Sequence, residues 1–210
     1  MNIKLMNKIA KVGTDVFGGA YTVSDTCENP DAIMVRSAKL HDMPLNKELL
    51  AIARCGAGVN NIPVDRCAEA GVVVFNTPGA NANAVKELAV CALLLASRNI
   101  VGGINWAAAI ADKANIAKEV EAGKGQFAGC EIAGKTLGVI GLGAIGGLVA
   151  NVAKSLGMQV VGYDPYLSVA NALNLSRAVR IASGYDEIFQ TCDYITLHVP
   201  ATKDTTGFIK

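Results

Sequence analysis

The sequence predicts an α/β fold, and three observations predict it. Short β-rich apolar runs alternate with helix-period runs along the whole chain. Several of the β-rich runs are continuous and bounded by Gly, Pro or Asn, as parallel strands covered on both faces are. A glycine-rich turn stands between one such run and an amphipathic helix pattern. Alternation of this kind specifies one α/β domain or two.

In chain order, strands are expected at 3–5, 32–35, 50–53 and 72–75. A helix follows from Val85, with apolar residues at 85, 88, 89, 92, 93 and 96, the i, i+3, i+4, i+7 spacing of one helix face. Asn81 and Asn83 are its candidate caps. Residues 99–134 read differently: Ala-rich, broken at Gly102 and Gly103, then more charged, as helical segments joining two α/β units. The expected boundary lies near Arg98, giving parts 1–98 and 99–210. A strand at 136–140 then leads through the glycine turn into a helix with apolar positions 145, 148, 149, 152, 153 and 156. Lys154 and Gly157 mark the end of that helix. Strands at 159–163 and 193–197, with a weaker one at 178–181, complete the set.

Composition narrows the function classes. The 210 residues hold 19 Lys+Arg and 18 Asp+Glu, a net charge of +1, and neither half is an acidic or basic tail. With a pI of about 7.6 this balance argues against a nucleic-acid partner. The longest apolar run, residues 88–96, is far short of the ~20 residues of a membrane span. No apolar signal segment opens the chain. Six cysteines without a CxxC pair, in a chain large enough to fold without staples, read as reduced thiols in a cytoplasmic protein. Two histidines argue against a His-based metal site.

Gly141, Gly143 and Gly146, with Ala144 and Ile145 between, form G-x-G-x-x-G. The bare pattern is weak, but here a strand precedes it, a helix follows, and a second strand ends at Asp164, 18 residues after Gly146. That is the dinucleotide-binding context. Gly141 permits the tight turn, Gly143 leaves the backbone open to a pyrophosphate, and Gly146 lets helix and strand pack closely. The helix N-terminus offers N–H groups to the phosphates. Asp164 accepts the ribose hydroxyls, and with no Arg in the following Pro165-Tyr166 the cofactor is expected to be NAD rather than NADP. The plainer reading of Asp164 is a solvated strand-end acid. In a sheet of order 3-2-1-4 the fourth strand adjoins the first, so His198, Val199 and Pro200 at its end reach the cofactor. The plainer reading of His198 is an unliganded turn histidine.

These motifs, with VRSA at 35–38, ARCGAGVNNI at 53–62, NTPGAN at 76–81, GKTLG at 134–138, GYDPY at 162–166 and TLHVP at 196–200, make the chain resemble the D-isomer-specific 2-hydroxyacid dehydrogenases. They occur in the family's order across nearly the whole chain. The resemblance implies a flavodoxin-like substrate domain at 1–98 and a Rossmann-type NAD-binding domain at 99–210, incomplete at its C-terminus, with the active site between them. It implies that Arg36 and Ser37 bind the phosphate side of a phosphorylated 2-hydroxy acid, which suits a guanidinium fork. It implies that the Gly56, Ala57, Gly58, Val59 loop holds the substrate carboxylate, and that Thr77 touches the nicotinamide end of NAD. The implied reaction is hydride transfer from C2 of the substrate to NAD. The family's homo-oligomers form through the nucleotide domain, and the 99–134 segment with Trp106 resembles their arm. An intrachain packing role for Trp106 stays equally open.

The chain departs from the family at Ala144, where many members carry Arg, and at Lys86 before Glu87. Cys55 beside the substrate loop reads as a small packing residue. The family's catalytic Arg, Glu and His lie beyond the His-Val-Pro strand, and neither His41 nor His198 matches the catalytic His. The expectation is that no residue of these 210 is catalytic and that the chain alone does not turn over. The sheet's fifth and sixth strands are not seen either, which leaves 193–197 as an apolar edge. Two rival readings fit the same residues: a relative acting on hydroxypyruvate or glyoxylate, and an NAD-binding module without turnover.

Overall fold

The computed structural model describes residues 1–202 and 205–209. Residues 203, 204 and 210 of the expected 99–210 domain lie outside the described residues. The elements are β1 (Asn2–Leu5), α1 (Lys11–Thr14), β2 (Thr22–Ser24), β3 (Ala32–Val35), β4 (Ala51–Arg54), α2 (Val64–Glu69), β5 (Val73–Phe75), α3 (Ala82–Ser97), α4 (Ile100–Ala109), α5 (Ile116–Gly123), β6 (Thr136–Ile140), α6 (Gly146–Ser155), β7 (Gln159–Tyr163), α7 (Val169–Asn174), β8 (Arg180–Ile181), α8 (Tyr185–Thr191) and β9 (Tyr194–Leu197). A 3-10 turn at Lys124–Phe127 follows α5. They form two compact units, Met1–Asn81 with the segment from Pro200 onward, and Ala82–Val199.

The first unit is a parallel sheet of order β2-β1-β3-β4-β5, the flavodoxin-like order. Register pairs Ile33 with Ile52 and Ile52 with Val74. Ile33, Val35, Leu40, Leu49, Ile52, Ile62, Cys67 and Val72 form its core. Burial pushes the Cys67 thiol above its usual range, against the opposing charge of Arg66, and its side chain packs in this core. Strand β2 has no counterpart in the sequence reading. It is three residues long with one apolar side chain, Val23, and it sits at the sheet edge, where burial imposes no alternation.

The second unit is a parallel sheet of order β8-β7-β6-β9. Leu137, Val139 and Val160 from the strands, Val149, Ala150 and Ala153 from α6, and Leu142 and Met158 from the turns form its core. Gly157 ends α6 at φ +83°, and Met158 N–H returns to the Ala153 carbonyl, the C-terminal stop that Lys154 and Gly157 predicted.

Three features differ from the sequence reading. The division falls between Asn81 and Ala82 rather than near Arg98, because Ala89 and Leu93 of α3 pack on the second unit's core. The apolar stripe of α3 is only partly covered, with Leu88 70% exposed, and Leu94 and Leu95 off the stripe are exposed too. Asn83 lies inside the helix and donates to Glu87 Oε1 at 2.7 Å, so it is not a cap. Asn81, the other expected cap, stands immediately before the helix, and Asn99, Asn115 and Ser168 cap α4, α5 and α7. Trp106 packs against Phe127, with ring centroids 5.2 Å apart and planes tilted by 45°, and covers Gly123, all within the chain. All six cysteines are free thiols. Among the described residues, no single helix is long and apolar enough to cross a membrane, and no cluster of His, Cys, Asp and Glu is placed to hold a metal ion.

Two measurements check this architecture. Glu187 accepts from Arg180 and from the N–H and hydroxyl of Ser183, which lowers its carboxyl from 4.5 to about 2. A carboxyl depressed in the folded state contributes stability that is fully present above the unfolded value and is lost as pH falls through the folded one. Glu187→Gln is therefore expected to lower the melting temperature above pH ~4.5, with the gap to the parent closing toward pH ~2. The pair is open to solvent, so the gap is expected to be small and to shrink with salt. A gap independent of pH would contradict the contact. Strand β9 is a sheet edge exposing Ile195 and Leu197, and exposed apolar edges pair with other chains. Leu197→Lys is expected to reduce concentration-dependent association in sedimentation velocity. Unchanged association would exclude this edge as its cause.

Candidate functional site

In the second unit the glycine turn is assembled by three strand ends. Gly141, at φ +89°, follows β6 and donates its N–H to the Tyr163 carbonyl at the end of β7, at 2.8 Å. A Cβ on Gly141 would lie 2.6 Å from the His198 carbonyl oxygen, so the end of β9 presses directly on the turn. A Cβ on Gly146 would lie 1.8 Å from the Gly141 carbonyl oxygen, which excludes any side chain where α6 crosses the strand. At Gly143 a Cβ would meet no atom within 4 Å. Among the described residues, none accepts from the N–H groups of Gly143, Ala144 or Ile145. Unpartnered N–H groups at a helix N-terminus, with open space before them, fit the pyrophosphate of a dinucleotide.

Asp164 does more than the spacing indicated. Its Oδ2 accepts from Leu142 N–H and its Oδ1 from Tyr166 N–H, both at 2.9 Å. The carboxylate thus ties the glycine turn to the end of β7. Each oxygen keeps a second acceptor site, so ribose hydroxyls remain compatible with both bonds. Beside it, Tyr163 and Tyr185 meet edge to face at 4.7 Å. Burial raises the Tyr185 phenol, and Tyr163, Asp164 and Tyr166 raise it further. The sequence reading missed Leu142, which is buried and fills the space over Gly162.

His198 is half-buried, with its N–H on the Ile140 carbonyl at 2.8 Å and its Nε2 3.0 Å from Thr196 Oγ1. Burial lowers its pKa from 6.5, which favours the uncharged imidazole. Val199 adjoins Gly141 in the same unit, whereas Pro200 belongs to the first unit's return segment.

The first unit holds the other candidates. Arg36 and Ser37 follow β3, both exposed. Their backbone N–H groups and that of Ala38 converge on Asn7 Oδ1 at 2.9, 3.0 and 3.1 Å. The loop of Gly56, Ala57, Gly58 and Val59 follows β4. Thr77 N–H donates to the Gly56 carbonyl at 3.0 Å, and Asn76 Nδ2 donates to the Ala57 carbonyl at 2.8 Å. Thr77, expected with the cofactor, therefore lies against the loop expected to hold substrate. Arg54 stands under the same loop, with Nη1 3.5 Å from the Cys55 carbonyl.

Comparison with known proteins supplies a frame for these residues. Residues 93–210 match the family model described as D-isomer specific 2-hydroxyacid dehydrogenase, NAD binding domain. The D-3-phosphoglycerate dehydrogenase of Synechocystis is 34% identical over 212 residues, covering 100% of this chain and 36% of its own. That of Mycobacterium leprae is 38% identical over 182 residues, covering 85% of this chain and 32% of its own. Among solved structures, the NAD+-bound 3-phosphoglycerate dehydrogenase of Entamoeba histolytica is 25% identical with a TM-score of 0.68, covering 98% of this chain and 64% of that one. The chain spans about a third of the length of the curated relatives it matches.

The turn geometry makes a quantitative prediction. Asp164→Ala removes a charged acceptor from two N–H groups; bonds to charged groups contribute ~1.5–3 kcal/mol each, less here because Asp164 is only partly buried and water can replace it. A loss of about 2 kcal/mol in unfolding free energy is expected from denaturant titration. A variant as stable as the parent would show that the turn is held without this carboxylate.

Proposed function

This chain belongs to the D-isomer-specific 2-hydroxyacid dehydrogenase family, and we propose that it serves the NAD-dependent oxidation of 3-phospho-D-glycerate to 3-phosphohydroxypyruvate, a step toward serine. The observation that carries this reading is similarity along the full chain to proteins named D-3-phosphoglycerate dehydrogenase. The exposed Arg36 and Ser37 beside β3 support a phosphorylated substrate over hydroxypyruvate or glyoxylate.

In this reading the N–H groups of Gly143, Ala144 and Ile145 hold the pyrophosphate of NAD, and Gly141 and Gly146 keep that backbone in place. Asp164 accepts the ribose hydroxyls and opposes a 2′-phosphate by like charge, which selects NAD over NADP. His198 and Val199 line the cofactor side from β9, with Thr196 orienting the neutral imidazole. Pro200 continues that run, and Thr77 faces the nicotinamide end. Arg36 and Ser37 hold the substrate phosphate, while the N–H groups of residues 56–59 hold its carboxylate. When bound, NAD supplies the hydride acceptor for C2. The proton of the C2 hydroxyl needs a positioned base. His198 does not fill that role, because its Nε2 is engaged by Thr196 and it sits at the cofactor strand. We therefore expect the 210 residues by themselves to bind without turning over, as an NAD-binding module would.

The exposed apolar residues Leu88, Leu94 and Leu95 of α3, with Ile100, Val101 and Ile104 of α4, support a homo-oligomer formed through this unit. The six free thiols fit a cytoplasmic setting.

The test is a pair of titrations on the chain. NADH is expected to bind, with NADPH at least tenfold weaker, and Asp164→Ala is expected to narrow that difference. Addition of NAD and 3-phosphoglycerate is expected to yield no NADH above a protein-free control. Equal affinity for the two cofactors would overturn the role of Asp164, and turnover would overturn the expectation of inactivity.

A further inference from the structure

The turn after β3 is held from outside in both polarities. Three successive N–H groups, of Arg36, Ser37 and Ala38, point at one atom, Asn7 Oδ1. The carbonyls of Arg36 and Ala38 accept from one donor, Asn61 Nδ2, at 3.4 and 2.8 Å. Asn61 is 6% exposed, and its own carbonyl takes the Leu40 N–H at 2.8 Å. Asn7 comes from the segment after β1, and Asn61 from the segment before α2. The turn thus leaves little backbone hydrogen bonding for a ligand. Its side chains stay available: among the described residues, none pairs with the Arg36 guanidinium.

We propose that Asn7 and Asn61 are a positioning pair that presents Arg36 and Ser37 to the phosphate of an anionic substrate. The proposal rests on the reading of Arg36 and Ser37 given above. Three converging N–H groups form a concavity that itself attracts anions. Left open, it would compete with the guanidinium and draw the phosphate onto the backbone. An amide oxygen fills it without adding charge. An aspartate could accept the same three bonds, but its charge beside Arg36 would neutralise the guanidinium and repel the ligand. Neutrality at residue 7 therefore serves binding, whereas the acceptor alone serves folding. Asn61 fixes the opposite edge of the turn, so that Arg36 cannot rotate away with its peptide plane.

The two roles separate experimentally. The probes are 3-phosphoglycerate and glycerate, titrated calorimetrically against the chain, with amide hydrogen exchange at residues 36–38 measured alongside. Asn7→Ala is expected to speed exchange at all three amides at least tenfold and to reduce the preference for 3-phosphoglycerate over glycerate. Asn7→Asp is expected to keep exchange slow yet weaken 3-phosphoglycerate about tenfold, with the loss shrinking as salt is raised. Asn61→Leu is expected to speed exchange at the same amides and to reduce the preference. Unchanged exchange in Asn7→Ala would overturn the clamp. Undiminished 3-phosphoglycerate binding by a slowly exchanging Asn7→Asp would overturn the requirement for neutrality. If the parent chain itself shows no preference for the phosphorylated ligand, the substrate reading fails instead, and the exchange data alone decide the clamp.

Discussion

Where α6 leaves the glycine turn, the backbone of Gly146 passes so close to the carbonyl of Gly141 that a single Cβ would overlap it at 1.8 Å. The second unit depends on this close approach. It sets the distance at which α6 lies on β6, and so determines that small residues, Ala150 and Ala153, fill the helix side of the core beside Val149. Among the described residues, none accepts from the N–H groups of Gly143, Ala144 and Ile145, which lead into the helix. Packing and binding potential arise from one backbone constraint.

Charge is used sparingly around that constraint. Asp164 spends its two oxygens on backbone N–H groups while keeping acceptor capacity for a ligand. At the end of β9, burial alone lowers the His198 pKa. In the first unit an asparagine, not an aspartate, receives three converging N–H groups. Each choice leaves the local field to the groups read as ligand-binding: the helix N-terminus in one unit, Arg36 in the other. The absence of Arg at Ala144 fits the same pattern, since the helix N-terminus remains available there without it.

Apolar surface is distributed unevenly. The cores of both sheets are closed by aliphatic side chains, yet α3 and α4 expose Leu88, Ile100, Val101 and Ile104, and β9 exposes Ile195 and Leu197. A helix with apolar residues on one face normally buries that face. Here α3 places Ala89 and Leu93 on the core while the rest of its apolar surface stays open. The chain therefore carries more association surface than its own packing consumes.

The sequence alone determined the α/β class, seven strands to within a residue at either end, the glycine turn, and Asp164 at the end of the second strand. Those features follow from local chemistry: continuous β-branched runs, 3.6-residue periodicity and glycine at positions that tolerate no Cβ. It also determined the family through motif order. Tertiary structure decided the rest. Strand β2 pairs with β1 at the sheet edge, and its three residues are too few to show an alternation in the sequence. The long helix belongs to the second unit because Ala89 and Leu93 find that core, a choice its symmetric periodicity could not encode. The pairing of Asn7 with residue 38, 31 positions away, and of Asp164 with Leu142, 22 positions away, depends on strand order. Hydrogen bonds of that span leave no periodic trace, because their partners are single polar residues in loops, chosen by where the sheet brings the chain back.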